Sequence, residues 1–315
     1  MPQFIRKFFT KKTIFSFIIA FIIFYFFFSK TDISKIVKTI ANANIIYILI
    51  ALLAFYIMLI LKSLRWKIYL SNIGFKDKLL SITEIYFIAQ FINTLLPARV
   101  GDFYRAYLMK KNFGVAKSRV LGTIFMERLL DITFMAILLS ISVVGVYGKY
   151  VSQVMRQVGL ILFLLVAILL LIFFIVKKQR RLFLRLLPKK LRYIAKNFEF
   201  AASTSLNLKT LPWIFLITAI IWSLECAILY LVSMSIGLKL QIFLVLFVVL
   251  LANALMIIPI TPSGLGFVEA GVSGVLILAG IDKNIAISIA LLSSIVNYWN
   301  QLGFGFLTYI ISKKS

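Results

Sequence analysis

Nine long runs of apolar residues, separated by short polar stretches, make up most of the chain. The runs do not alternate apolar and polar positions as half-buried strands do, and several approach the roughly 20 residues that a helix needs to cross a bilayer. The pattern therefore predicts an all-α polytopic integral membrane protein with about 6–8 transmembrane helices. The runs are Thr13–Ser29, Ile45–Leu61, Leu79–Leu96, Val120–Tyr147, Val158–Val176, Leu211–Ile236, Leu240–Ile260, Phe267–Ile281 and Asn284–Ser312.

Two of these runs fit a full span poorly. Leu79–Leu96 carries Glu84 and Asn93, and Phe267–Ile281 is short and carries Glu269. Basic residues lie on both sides of Leu79–Leu96, and Lys and Arg collect in cytoplasmic loops, so we predict that this run is re-entrant from the cytoplasm. The flanking basic residues are Lys62, Arg65, Lys67, Lys76 and Lys78 before it, and Arg99, Arg105, Lys110, Lys111, Lys117 and Arg119 after it.

The same rule for basic loops sets the rest of the topology. It places the N-terminus and the basic stretch Lys177–Lys196 in the cytoplasm, and the less basic loops Lys30–Asn44 and Gly148–Gln157 outside. Lys177–Lys196 is expected to lie along the anionic cytoplasmic leaflet. The topology of Leu240–Ile281 stays open, because a hairpin that enters from outside and two short spans give the same charge pattern.

Composition excludes an ordinary soluble enzyme. Hydrophobic residues make up 62% of the 315 residues and charged residues 14%, whereas soluble domains average about 45–50% and about 25%. The net charge of +25 would suggest nucleic acid in a soluble protein, but the positive-inside rule accounts for it here, so no nucleic-acid partner is expected. No gap between the runs can hold a soluble domain of about 50–250 residues, so residues 1–315 are expected to form one transmembrane domain.

The chain has no histidine and a single cysteine, Cys226. Histidine is the commonest general base and metal ligand, and one cysteine cannot form a disulfide within the chain. The sequence also lacks a Walker A glycine loop. We therefore expect no metal site, no cofactor and no catalytic residue.

Two stretches share the pattern Pro-x-x-aliphatic-Gly followed by an acid. The first is Pro97–Gly101 with Asp102, and the second is Pro262–Gly266 with Glu269. Proline ends a helix, and such a break at membrane depth is tolerated only against protein or a water-filled cavity. Broken helices in corresponding halves of a chain point to a transporter's substrate site, often across an inverted repeat. Ordinary turns between helices are the alternative that the spacing leaves open.

Charged residues within the apolar runs suggest an anion site. Glu127 and Asp131 share a helix face, so cations must lie near them, and we expect Arg99 and Arg105 to be their partners. Arg128 is adjacent to Glu127 but points about 100° away around the helix. Guanidinium groups donate bidentate hydrogen bonds to phosphate and stay charged, so these arginines suit the phosphate of a lipid headgroup. Separate structural salt bridges are the open alternative.

The motifs resemble a known family. The block Asn93–Asp131 opens on N-x-x-x-P-x-R-x-G-D/E-x-x-R and closes on E-R-x-x-D, and Thr261–Glu269 contains P-x-G-x-G-x-x-E. Together they resemble the flippase-like transmembrane family of lysylphosphatidylglycerol synthase, although Ala98 stands where that family commonly has glycine. In that family the membrane region translocates a modified phospholipid and a separate soluble domain attaches lysine, while other relatives are linked to polyprenyl-linked sugars.

The resemblance implies an inner-membrane lipid flippase or scramblase for an anionic phospholipid or a polyprenyl-linked glycolipid. The synthase domain is missing, so we expect no enzymatic activity; a lipid-modifying enzyme and an accessory subunit of an envelope-glycan or lipid enzyme are the alternatives. Expected partners are membrane lipids, and a homo-oligomer or a separate lipid-modifying enzyme stays open. The two breaks are expected to meet near the bilayer midplane and line one polar cavity. The candidate substrate-binding residues are Asn93, Pro97, Arg99, Gly101, Asp102, Arg105, Glu127, Arg128, Asp131, Pro262, Gly264, Gly266 and Glu269.

Overall fold

The computed structural model describes residues 31–145, 189–257, 261–312 and 314, together with isolated positions between 17 and 25 and between 157 and 168. The predicted spans Thr13–Ser29 and Val158–Val176 therefore lie largely outside the described residues, as does the first part of the basic stretch Lys177–Lys196.

The described ranges form α-helices and no strand, which confirms the all-α prediction. A single π-helical turn, Ile295–Trp299, joins the last two helices, and a 3₁₀ turn covers Pro262–Gly264. The α-helices are α1 (Ile33–Ala41), α2 (Ile45–Asn72), α3 (Leu79–Leu95), α4 (Val100–Phe113), α5 (Lys117–Gly145), α6 (Lys189–Ser205), α7 (Leu211–Ser235), α8 (Ile242–Ile257), α9 (Phe267–Leu278), α10 (Lys283–Ser294) and α11 (Asn300–Ile311).

Three helices of the described residues are long and apolar enough to cross a bilayer: α2, α7 and the continuous helix Lys283–Ile311. Large apolar side chains such as Leu49 and Leu53 are exposed along α2, as expected of surfaces that face lipid tails. The helix α5 is equally long, with 29 residues, but charged groups interrupt its apolar run. Shorter apolar helices are also present, and the fold is that of a multi-pass membrane protein.

Four helical segments lie where the sequence predicts loops. The helix α2 continues 11 residues beyond the predicted end at Leu61, because Trp66, Tyr69 and Leu70 keep a buried apolar face at helical spacing. Lys62, Arg65 and Lys67 therefore lie inside α2, and the prediction that they flank the re-entrant run as loop charges is wrong. The predicted loops also contain α1, α4 and α6, and α6 packs along α5.

The first break separates α3 from α4. Leu96 is extended and Pro97 follows it, and then Ala98 and Arg99 both adopt left-handed backbone, with φ of 61° and 52°. Left-handed backbone costs a non-glycine residue about 1–2 kcal/mol, so the surrounding packing must hold it. The helix α4 folds back onto α3, and Gly101 touches the carbonyl oxygen of Ala89 so closely that no Cβ would fit.

The second break separates α8 from α9. Ser263, Gly264 and Gly266 have positive φ there, and α9 packs back against α8. These helices have 16 and 12 residues, about 24 and 18 Å at 1.5 Å per residue, whereas the hydrocarbon core is about 30 Å thick. The lengths favour a hairpin over two spans in Leu240–Ile281.

We predict that both ends of the α3–α4 hairpin face the same side of the membrane. Lys76 and Lys111 are exposed and basic, which suits the cytoplasm. In a chain with Cys226→Ala, single cysteines at these two positions should react with an impermeant maleimide from the same side of oriented vesicles. Labelling from opposite faces would show that α3 spans the membrane.

We predict that Gly101→Ala lowers thermal stability, because its Cβ would overlap the carbonyl oxygen of Ala89 and part α4 from α3. Gly303→Ala is the matched control: nothing lies within 4 Å of a Cβ at Gly303, and alanine is favoured over glycine inside a helix by about 1 kcal/mol. The melting temperature of the purified chain in detergent should therefore fall for Gly101→Ala and stay level or rise for Gly303→Ala. Equal melting temperatures would contradict the close contact.

Candidate functional site

The two breaks touch. Pro97 has no N–H, so the carbonyl oxygen of Asn93 lacks its usual helical donor four residues along the chain. The hydroxyl of Ser263, in the second break, donates to that oxygen at 3.0 Å. The hydroxyl of Tyr298 donates to the carbonyl oxygen of Thr94 at 3.3 Å. Side chains from the second half of the chain thus satisfy backbone acceptors that the first break leaves free.

Glu127 is the centre of a buried network of ions beside the breaks. Its carboxylate has no exposed surface, and the Arg105 guanidinium donates to it at 3.0 Å. Arg65 approaches the same carboxylate at 3.7 Å and Arg128 at 3.5 Å. Three helices, α2, α4 and α5, each contribute one of these arginines. An unpaired carboxylate inside the membrane is strongly unfavourable, so Glu127 requires the three helices to converge.

Arg65 holds the second acid of α5. Its guanidinium pairs with Asp131 through both nitrogens, at 2.6 and 3.1 Å, and also donates to the Thr218 hydroxyl of α7 at 3.0 Å. This is the bidentate geometry that gives the strongest arginine–carboxylate contacts. Arg65 is buried, and its contacts with α5 and α7 fix its position.

Arg105 is held by aromatic rings as well as by charge. Its guanidinium carbon lies 4.3 Å from the ring centre of Trp66 and 5.0 Å from that of Tyr86. Cation–π contact stabilises a desolvated guanidinium by about 2 kcal/mol. Arg105 also lies 3.8 Å from Asp102, one turn earlier on α4.

Arg128 is held more loosely than the other two arginines. Its closest carboxylate contacts are 3.4 Å to Asp102 and 3.5 Å to Glu127 and Asp131, longer than the 2.7–2.9 Å typical of charge-assisted hydrogen bonds. Its Nε and one terminal nitrogen have no hydrogen-bond partner among the described residues. The side chain is 27% exposed, against 1% for Arg65 and Arg105.

The network is electrically balanced, because three guanidinium groups meet three carboxylates, and all six are linked by contacts of 3.8 Å or less. Its members are Arg65, Arg105, Arg128, Asp102, Glu127 and Asp131.

A cavity of about 430 Å³ lies against this network, within the range of small-molecule sites. Both breaks line it, through Ala98 and Arg99 on one side and through Thr261 and Ser263 on the other. The rest of its wall is largely apolar and includes Phe55, Met58, Met135, Leu229 and Val272. The cavity therefore joins a polar end to an apolar lining.

Among the described residues that line the cavity, Arg99 is the cation that forms no ion pair with an acid. It caps α4 from its left-handed position and makes no ion pair within the described part of the chain. The prediction that Arg99 pairs with Glu127 or Asp131 is therefore wrong: Arg105 pairs with Glu127, and Arg65 pairs with Asp131. The expectation that Arg128 points away from Glu127 is also wrong, because its long side chain curls back to 3.5 Å.

Glu269 accepts hydrogen bonds that stabilise the second break. Its Oε2 accepts from the backbone N–H of Gly266 at 2.6 Å and its Oε1 accepts from the hydroxyl of Ser294. It thereby closes a capping box at the start of α9, where a negative charge also suits the helix dipole. Glu269 still lines the cavity, but these contacts give it a role in the backbone of the second break.

The predicted residues fall into three groups. Those that line the cavity are Asn93, Arg99, Arg128, Asp131, Gly264 and Glu269. Those that lie behind its wall in the ion network are Asp102, Arg105 and Glu127. Those that shape the two breaks or the packing beside them are Pro97, Gly101, Pro262 and Gly266.

Sequence reasoning missed Arg65, Ser263 and Tyr298. Arg65 was counted among loop charges, although the helical spacing around Trp66 could have placed it inside α2. Ser263 and Tyr298 carry no such signal, since their partners are backbone carbonyls of a distant segment.

Comparison with known proteins gives a consistent set of relatives. The family described as "Lysylphosphatidylglycerol synthase TM region" matches residues 13–305. A UPF0104 membrane protein of Methanocaldococcus jannaschii is 34% identical over 71% of this chain and 95% of its own length. A UPF0104 membrane protein of Pyrococcus horikoshii is 24% identical over 90% of this chain and 92% of its own. The glycosyltransferase AglD of Haloferax volcanii is 26% identical over 36% of this chain and 18% of its own.

We predict that Glu127→Gln is severely destabilising. The amide keeps the shape of the side chain but removes the counter-charge that Arg105 meets at 3.0 Å, whereas Arg65 keeps its pair with Asp131, and breaking a buried pair typically costs about 3–5 kcal/mol. Asp32→Asn is the matched control, since Asp32 forms an exposed pair with Lys35 that contributes about 1 kcal/mol or less. Thermal melting in detergent should separate the two variants clearly. A Glu127→Gln chain with the same melting temperature as the wild type would show that the network does not hold the helices together.

Proposed function

The chain belongs to the lysylphosphatidylglycerol synthase TM region family, and from this membership and the geometry of the cavity we propose that it moves a lipid with an anionic headgroup across the cytoplasmic membrane. The lipid class is one whose phosphate is joined to an apolar tail, either an anionic phospholipid or a polyprenyl-linked glycolipid. Transport is the whole of the proposed activity, and no covalent step is assigned to the chain.

The observation that carries the proposal is the pair of guanidinium groups at the cavity, those of Arg99 and Arg128. Arg99 has no acid partner in the described part of the chain, and Arg128 has only long contacts to its acids. A phosphate could therefore take hydrogen bonds from both without displacing a short ion pair. Charge-assisted bonds of this kind are stronger in a low-dielectric site than in water.

Arg65 and Arg105 have a different role in this proposal. Their carboxylate contacts of 2.6 and 3.0 Å are short, and both side chains are 1% exposed. They fix Asp131 and Glu127, and these acids in turn aim Arg128 at the cavity. We treat Arg65 and Arg105 as positioning residues.

The cavity wall suits the remainder of a lipid. A charged headgroup crosses hydrocarbon only at a large free-energy cost, and a polar pocket enclosed by helices lowers that cost. The apolar lining offers a surface for the adjoining tail. The two hairpins, each a broken pair of helices that meets the other at the cavity, resemble the paired breaks that form substrate sites in transporters.

The test is lipid translocation in proteoliposomes made with the purified chain and a fluorescent anionic phospholipid. We predict that Arg99→Gln and Arg128→Gln each slow translocation by at least about tenfold, because each removes a hydrogen bond from a charged donor worth about 1.5–3 kcal/mol. Arg119→Gln is the matched control. It makes the same change on α5, at an exposed position that does not line the cavity.

Two outcomes would contradict the proposal. One is a wild-type chain that leaves translocation at the rate of protein-free liposomes. The other is a pair of folded, monodisperse Arg99→Gln and Arg128→Gln chains that translocate lipid as fast as Arg119→Gln.

A further inference from the structure

A second polar cluster lies in the same cavity, outside the two sequence motifs. The ammonium group of Lys62 on α2 lies 2.8 Å from one oxygen of Glu225 on α7, and the amide of Asn253 on α8 donates to the other oxygen at 2.7 Å. All three residues line the cavity, and the ion pair is largely buried. A buried ion pair is often no more stabilising than apolar residues of the same volume, so stability alone is a weak reason for its presence.

An unpaired hydrogen-bond donor lies beside this cluster. Trp222 precedes Glu225 by three residues on α7 and also lines the cavity. It is 6% exposed, and its indole N–H has no acceptor among the described residues. A buried donor without a partner costs about 1–3 kcal/mol, so an acceptor on a bound ligand would remove a real penalty.

The cluster and the two arginines of the proposed phosphate site line the same cavity. Lys62 and Arg65 are three residues apart on α2, about 4.5 Å along the helix axis. Arg65 binds Asp131, and Asp131 lies 3.5 Å from Arg128. A headgroup whose phosphate lies at Arg128 would therefore share the cavity with the cluster, and its groups beyond the phosphate could contact Lys62 and Glu225 there.

The charges and donors select the kind of group that fits. Lys62 and Glu225 neutralise each other, so the cluster offers no net charge to a second phosphate. An ammonium group could donate to Glu225 but could not accept from the indole N–H of Trp222, and it would be repelled by Lys62. A hydroxyl group can do both: it accepts from Trp222 and donates to the carboxylate of Glu225.

We propose that Trp222, Glu225, Lys62 and Asn253 form a second headgroup subsite, which binds the hydroxyl groups of a polyol or sugar attached to the lipid phosphate. This inference rests on the proposed function, because it assumes that the phosphate lies at Arg99 and Arg128. It narrows the substrate class to hydroxyl-bearing headgroups.

The test compares two lipids with equal charge and equal acyl chains. Phosphatidylglycerol carries hydroxyl groups beyond its phosphodiester, and phosphatidylethanol carries none. Titrated onto the purified full chain and followed by native mass spectrometry, phosphatidylglycerol should bind about tenfold more tightly, as expected for one or two hydrogen bonds to buried groups. Equal binding of the two lipids by the wild type would overturn the subsite without any variant.

Trp222→Phe removes the indole donor and keeps an aromatic ring. It should reduce the preference for phosphatidylglycerol to about twofold and leave the affinity for phosphatidylethanol unchanged, because only one hydrogen bond is lost. Trp213→Phe is the matched control on the same helix, at a side chain that is 63% exposed and does not line the cavity. A Trp222→Phe chain that keeps the full preference would overturn the assignment.

Two further measurements distinguish failure of the subsite from failure of the proposed lipid transport. Failure of the wild type to bind either lipid, or unchanged binding of both by Arg99→Gln, would overturn the proposed function and the subsite with it. If the wild type binds both lipids equally and Arg99→Gln weakens the binding of both, the proposed function stands and only the subsite is overturned. Phosphatidylethanolamine is the third probe: if it binds more tightly than phosphatidylethanol, the group bound is an ammonium and the hydroxyl assignment fails.

Discussion

A carboxylate with no exposed surface, that of Glu127, sets the constraint on which the rest of the structure depends. It receives guanidinium groups from α2, α4 and α5, so these helices can separate only by leaving a charge unpaired in a low-dielectric interior. The α3–α4 hairpin is anchored by the same contacts, because Arg105 lies on α4. The polar end of the cavity thus owes its position to one buried acid.

The two helix breaks depend on each other in a similar way. Pro97 removes a backbone donor from α3, and the hydroxyl of Ser263 replaces it across the cavity. Glu269 closes the start of α9 by accepting from Gly266 and Ser294. Backbone irregularity at membrane depth is therefore compensated within the protein, as the absence of water in the bilayer requires, and the compensation joins the two halves of the chain.

The sequence alone was sufficient for the helical class, for most helix boundaries and for the motif residues that gather at the cavity. These follow from local signals: apolar runs, proline and glycine breaks, and acids that cannot stay unpaired. The partners of the acids did not follow, since Arg65 reaches Asp131 across 66 positions of sequence, whereas Arg99, which is nearer along the chain, forms no ion pair among the described residues. The contacts among Lys62, Glu225 and Asn253 did not follow either, because the three residues lie on three different helices and only the packing of these helices brings them together.

The balance of three guanidinium groups against three carboxylates has a consequence for the membrane potential. Moving one elementary charge through the full potential involves about 2.3 kcal/mol per 100 mV, but a neutral group of six residues that shifts as a unit does no electrical work. In the proposed transport, Arg99 and the phosphate of the bound lipid would be the remaining charges at the site on which the voltage acts, and they have opposite sign. Bound together they nearly cancel, so the loaded site would cross the field with little electrical bias in either direction.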